Sequence, residues 1–157
     1  MFLAGLRAAA AALLFSIAPA TAQDIVTRSK PGDFDDVRMD LGNAVLATGV
    51  TIQSQGNIAA MLGKTAADLG ATETVYARAE FIAICSAHYS RTLMEADPAN
   101  LAFCPFTVFA YEAKAKPGEI VVGYRPIAVP VSQGARAQAA AAEVNALLQR
   151  IIDQAAK

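Results

Sequence analysis

The stretch from Val75 to Cys85, VYARAEFIAIC, decides the fold. It is rich in β-formers and turns almost wholly apolar from Phe81 to Cys85, which suits a strand covered on both faces at the middle of a sheet. The partners of that strand must be sought on either side of it.

Downstream, a short helix from about Ser90 to Ala96 is closed by Asp97-Pro98, since the residue before a proline is pushed out of helical space. Phe106–Glu112 and Ile120–Tyr124 read as strands joined by the turn Lys116-Pro117-Gly118, and so as a hairpin. Beyond Pro126 and Pro130, the stretch Gln133–Lys157 is alanine-rich. Its Val144, Leu147, Leu148, Ile151 and Ile152 fall at helical spacing, so the chain ends on a long amphipathic helix.

Upstream, Phe34, Val37, Leu41, Ala44 and Val45 recur at intervals of three and four, which marks a helix with Asp33 as N-cap and Gly49 as terminator. Val50–Gln53 alternates like a short strand. Asn57 then caps a second helix, whose Ile58, Met61, Leu62 and Leu69 are expected to face inward, with Gly70 as terminator. Residues 23–32 read as a lead-in arm or a short first strand at Ile25-Val26-Thr27. The whole is an α+β chain of one small domain: an antiparallel-leaning sheet with helices packed on it, residues 33–130, followed by the C-terminal helix, residues 131–157.

The first 22 residues have a different character. Arg7 is followed by an unbroken apolar run from Ala8 to Ala18 and then by Pro19-Ala20-Thr21-Ala22, the small residues that a signal peptidase reads. The run is too short for the ~20 residues that span a bilayer, so a cleavable signal peptide with its cut between Ala22 and Gln23 is expected, and a periplasmic location with it. Removing 22 residues from 157 leaves 135, enough for one domain with its own core. Arg7 departs with the leader, which leaves 12 Lys and Arg against 14 Asp and Glu, a net charge of −2. With no basic stripe, nucleic acid is not an expected partner.

Export changes how Cys85 and Cys104 are read. They do not form a Cys-x-x-Cys motif, and in an oxidising compartment such a pair is expected to be a structural disulfide. The alternative adds His88 and Met94 to the two cysteines, a soft donor set for copper or a haem iron. His88 is the single histidine, so any Cys-His or Ser-His-Asp catalytic set must use it, yet no oxyanion donor or orienting acid is evident.

The disulfide also constrains topology. Were the strands holding Ile84 and Phe106 parallel neighbours, Cys85 and Cys104 would lie a strand length apart, ~17–20 Å. A disulfide needs α-carbons within ~7 Å, so those strands must run antiparallel, or Cys104 must return on a loop.

Other groups read as structure. Asp33, Asp35, Asp36 and Asp40 lack the glycine and terminal glutamate of a calcium loop and suit the first turns of a helix. Tyr111 and Tyr124, on the two strands of the hairpin, read as packing residues, and no glycine-rich phosphate loop, His-Glu-x-x-His pair or nucleophile elbow is present.

Thr92-Leu93-Met94-Glu95-Ala96-Asp97-Pro98, followed by Cys104-Pro105-Phe106 and the hairpin strand Ile120–Tyr124, resembles the bacterial domain-of-unknown-function family 302. The helix-strand-helix Phe34–Gly70 is similar to the family's opening, so the resemblance runs to about Pro130. It implies a compact α/β domain, often a dimer, with no agreed activity. Ile84-Cys85-Ser86-Ala87 paired with Cys104-Pro105-Phe106 looks like an exported branch. The expectation is a periplasmic binding or accessory protein of small ligand or protein partner, non-catalytic and without a cofactor, with a homodimer left open. The alternative is a metal- or haem-handling protein that uses Cys85, His88 and Cys104.

Overall fold

Residues 25–157 are described in a computed structural model; the segment read as a signal peptide and its expected cut between Ala22 and Gln23 lie outside them. Five strands form one sheet: β1 (Val26–Pro31), β2 (Thr51–Asn57), β3 (Tyr76–Cys85), β4 (Phe106–Ala113) and β5 (Glu119–Tyr124). Their order is β1-β5-β4-β3-β2, and every neighbouring pair is antiparallel. Four α-helices accompany the sheet: α1 (Phe34–Ala47), α2 (Ile58–Thr65), α3 (Ala87–Ala96) and α4 (Gly134–Ala155).

Strand alternation sends Ile82, Ile84, Phe106, Val108, Ala110, Ile120, Val122 and Tyr124 to one face, where they are buried. The apolar stripe of α1 and that of α4 close over this face. Ala137, Ala140 and Ala141 let the first half of α4 lie close, and Val144, Leu147, Leu148, Ile151 and Ile152 fill the second half. Each fully buried Leu or Ile stabilises the fold by about 1.5–3 kcal/mol relative to exposure.

The α1 cap is as read. The Asp33 carboxylate accepts from the backbone N–H of Asp35 at 2.8 Å and of Asp36 at 3.3 Å, and Gly49 takes the positive φ of +72° that ends the segment. Two others of the acidic group pair with cations: Asp35 with Arg78, whose guanidinium also lies 4.7 Å over the Phe34 ring, and Asp40 with Lys30 at 3.1 Å.

Three expectations are corrected. β4, not β3, is the middle strand. The reason is β1: its sequence VTRSKP has no apolar alternation, so the sheet gains a strand beyond β5 that shifts its centre by one. Any interior strand shows the apolar-both-sides signature, whichever side of the centre it occupies. Of the two readings of the segment before α1, the first strand holds: Val26–Pro31 is an edge strand, longer than Ile25-Val26-Thr27, and Pro31 is tolerated at its end because an edge strand needs bonds on one side only. Met61, Leu62 and Leu69 are exposed, at 51, 40 and 77 %, rather than inward: α2 packs beside β3 with no layer above it, and it ends at Thr65, before Leu69. Lastly, α3 starts at Ala87, three residues before Ser90.

A short 3-10 turn, Pro98–Phe103, leads from α3 into β4 and is anchored by Asn100, which is 3 % exposed. Its Nδ2 donates to the Leu93 carbonyl and to Gln133 Oε1, both at 2.9 Å, while Gln133 Nε2 donates to Asp97 Oδ2 at 2.7 Å. These bonds tie the end of α3 to the start of α4. Among the described residues no helix is long and apolar enough to cross a membrane.

Candidate functional site

The sheet face opposite α1 and α4 carries Ala79, Phe81 and Ala83 from β3 and Thr107, Phe109 and Tyr111 from β4. Phe81 and Phe109 are direct partners across the strand pair, yet their rings lean away from each other. Phe81 lies over Gly56, its partner on β2, where a Cβ would stand 2.3 Å from the ring. Phe109 lies over Gly123, its partner on β5, where a Cβ would stand 2.6 Å from the ring and 2.7 Å from the Val26 carbonyl oxygen.

Two glycines thus let two rings splay, and a trough of about 430 Å³ opens on this face. Buried Ala79 lies at its base. Phe81, Phe109, Tyr111, Tyr76 and Ile58 wall it, with Ile25 and Thr27 at the β1 end. The walls are a packed aromatic run: Phe109 stacks on Tyr111 with centroids 6.1 Å apart, and Tyr76 tilts against Tyr111 at 5.5 Å. Glu80 is the single charged residue of the lining, and its carboxylate is already held by Asn57 Nδ2 at 3.1 Å and Arg38 at 3.5 Å. The trough therefore offers ring faces and methyl groups and has no uncommitted charge.

A second locus sits where β3 ends. Cys85 closes that strand and Cys104 stands two residues ahead of Phe106, the partner of Ile84. Their sulfurs are 3.2 Å apart and not bonded. The hydroxyl of Ser90, a buried residue in the first turn of α3, lies 3.5 Å from each sulfur. The surroundings of the two thiols differ. Hydrogen bonds from Ser90 and Cys104, with the Ser86 N–H, hold Cys85 below the ordinary thiol range, whereas burial pushes Cys104 above it.

The residues expected to share a site are separated. Cys85 and Cys104 come together, but His88 is on the exposed side of α3 with its ring edge-on to Tyr89 at 5.2 Å. Among the described residues no group of three or more His, Cys, Asp or Glu side chains is placed to hold a metal ion. Tyr111 and Tyr124 lie on opposite faces of the hairpin. Tyr111 walls the trough, while Tyr124 is buried in the core and its hydroxyl donates to Gln149 Oε1 at 3.2 Å.

Sequence reasoning passed over Ser90 and the trough. Gly123 inside the apolar strand IVVGY was the available signal, because a glycine within a strand marks close approach by another group.

The fold is similar to that in a "Crystal structure of uncharacterized conserved protein DUF302 from Bacillus stearothermophilus", with a TM-score of 0.68, 12 % identity, and coverage of 83 % of this chain and 97 % of that one. No curated protein matches the chain. The sequence pattern described as "Domain of unknown function DUF302" matches residues 25–155, a span that takes in β1 and α4 as well as the segment from Phe34 to Pro130. The match covers the sheet and both helices of its core, and the chain belongs to the DUF302 family.

Proposed function

We propose that this is a non-catalytic binding protein of the exported branch of its family, working in the periplasm, and that its ligand is a small, uncharged, largely apolar molecule with a flat ring, held in the trough between Phe81 and Phe109. The observation that carries this reading is the pair of rings splayed over Gly56 and Gly123. The trough volume of about 430 Å³ is that of a small-molecule site, and its lining has one charged residue, already paired. A metal- or haem-handling role through Cys85, His88 and Cys104 has less support, since His88 is turned to solvent.

Fluorescence of the uncharged, largely apolar dye N-phenyl-1-naphthylamine tests the site. The folded protein is expected to bind it saturably, and Phe109→Ser to lose that binding while its circular dichroism stays unchanged. Equal binding by the variant removes the trough as the site. Sedimentation at rising concentration asks whether a second copy covers this face instead, which would block the dye as the dimer forms.

The export reading is checked by intact mass of protein recovered from the periplasm, expected to begin at Gln23. Recovery of the full-length chain in the membrane fraction overturns it. In that compartment Cys85 and Cys104 form a disulfide, supported by sulfurs already in contact.

A further inference from the structure

We infer that Cys85 and Cys104 are a reversible dithiol–disulfide couple with a fixed order of events, Cys85 exchanging with an external disulfide and Cys104 resolving; this rests on the disulfide proposed above.

Three observations carry it. First, the loop between the cysteines is closed by something other than a bond between them. Ile84 and Phe106 pair directly in the β3–β4 ladder, and Asn100 and Asp97 hold the intervening turn. With the sulfurs 3.2 Å apart, the bond can form and open with little rearrangement of the backbone. Second, both cysteines are partly exposed at the surface, so an outside disulfide can reach them. Third, the pair is unsymmetrical and shares one hydroxyl. Ser90 Oγ is within reach of both sulfurs, but its single proton can be donated to one at a time. Cys85 adjoins Ser86, the N-cap of α3, where the free N–H groups of a helix start favour a thiolate, whereas Cys104 caps the carbonyl end of the turn Pro98–Phe103. A structural crosslink needs no such donor, whereas a thiolate that must form before attacking does.

The step balances as follows. The Cys85 thiolate attacks a low-molecular-weight or protein disulfide RS–SR, forming Cys85–S–SR and expelling one thiolate, which takes up a proton. The Cys104 thiolate then attacks the Cys85 sulfur, the mixed disulfide breaks, and the second RS⁻ leaves and is protonated. Two protein thiols lose two electrons and two protons, and RS–SR is reduced to two RSH. The reverse sequence reopens the bond with excess thiol. Ser90 acts as a positioning residue whose hydroxyl can donate to either sulfur while it carries the charge.

The test uses the mature full chain, with oxidised and reduced glutathione as the probe. Wild type equilibrated over a range of glutathione ratios is expected to titrate between two thiols and none while folded. Limited alkylation of the reduced protein, read by peptide mass, should label Cys85 roughly tenfold faster than Cys104, in line with its greater thiolate character. Ser90→Ala should slow alkylation of both thiols without changing the circular dichroism. Cys104→Ser should accumulate the glutathione mixed disulfide at Cys85.

Equal or inverted alkylation rates overturn the order of events. A bond that forms but yields to glutathione only after denaturant is added overturns the reversible couple and leaves a static crosslink. Two thiols that stay free under excess oxidised glutathione overturn the disulfide itself, and the couple with it. Because the alkylation ratio is measured on wild type, the inference stands or falls even where a variant does not fold.

Discussion

Ile84 on β3 lies directly opposite Phe106 on β4, and this one antiparallel pairing brings Cys85 and Cys104 to the same end of the sheet. Oxidising the pair therefore closes a loop that the native state already holds shut, so the effect falls on the unfolded chain. In the chain-entropy model a loop of this size contributes about 3 kcal/mol. Urea unfolding of oxidised and reduced protein is expected to differ by that order, with the reduced form still folded. No difference between them would mean that the bond does not form or that it strains the fold.

Gly56 and Gly123 should respond unequally to alanine. At position 56 the new methyl meets the edge of the Phe81 ring, which can swing away. At position 123 it also meets the Val26 carbonyl oxygen at 2.7 Å, which is backbone in a paired strand and cannot. Gly123→Ala is expected to cost about 1–3 kcal/mol and Gly56→Ala less. Adding Phe109→Leu should recover little of the loss at 123. Full recovery by that second change would show the ring, not the carbonyl, to be the obstacle.

Leu148 on α4 is 1 % exposed against the sheet, so its replacement is a test of the core rather than of an oligomer. Leu148→Ala should destabilise by about 2–5 kcal/mol, and Leu148→Asp by more, because the carboxylate is buried without a partner. Thermal melts read this directly. A Leu148→Asp protein that melts normally but changes size in solution would place the helix face at an interface.

Burial raises the Tyr124 hydroxyl above its ordinary range, with Asp153 adding to the shift and Arg28 opposing it. The folded state therefore keeps its proton to higher pH than the unfolded state does. This contribution is whole below about pH 10, the ordinary tyrosine value, and is lost as pH rises from there through the folded-state value. Wild type should lose stability as the pH rises above about 10 more steeply than Tyr124→Phe, as urea midpoints would record. Parallel curves would mean that the hydroxyl ionises as easily in the folded protein as in the unfolded chain.

Met61 and Leu62, although apolar, touch no core. Met61→Lys and Leu62→Gln should each shift stability by no more than about 0.5 kcal/mol. A loss well beyond that would show that α2 is covered in solution.

The amphipathic period of α1 and α4, the strand at Phe81–Cys85 and the hairpin after Phe106 were legible in the sequence, because each buries one continuous apolar face and burial leaves its mark at a fixed spacing. The antiparallel sense of β3 and β4 followed from the cysteines once a disulfide was assumed, and the register Ile84 to Phe106 agrees with it. The position of β1 was not legible: an edge strand of VTRSKP is held by backbone bonds to β5, and such bonds carry no side-chain signature. Nor was the exposure of Met61 and Leu62, since local spacing says which residues share a face but not whether anything lies opposite. Gly123 alone hinted at a close approach, and the trough itself and the Ser90 hydroxyl between the sulfurs were decided by tertiary structure. Each depends on residues far apart in the chain, Gly56 with Phe81, Phe109 with Gly123, and Cys85 with Cys104, meeting across strands whose pairing is set only when the whole sheet closes on α1 and α4.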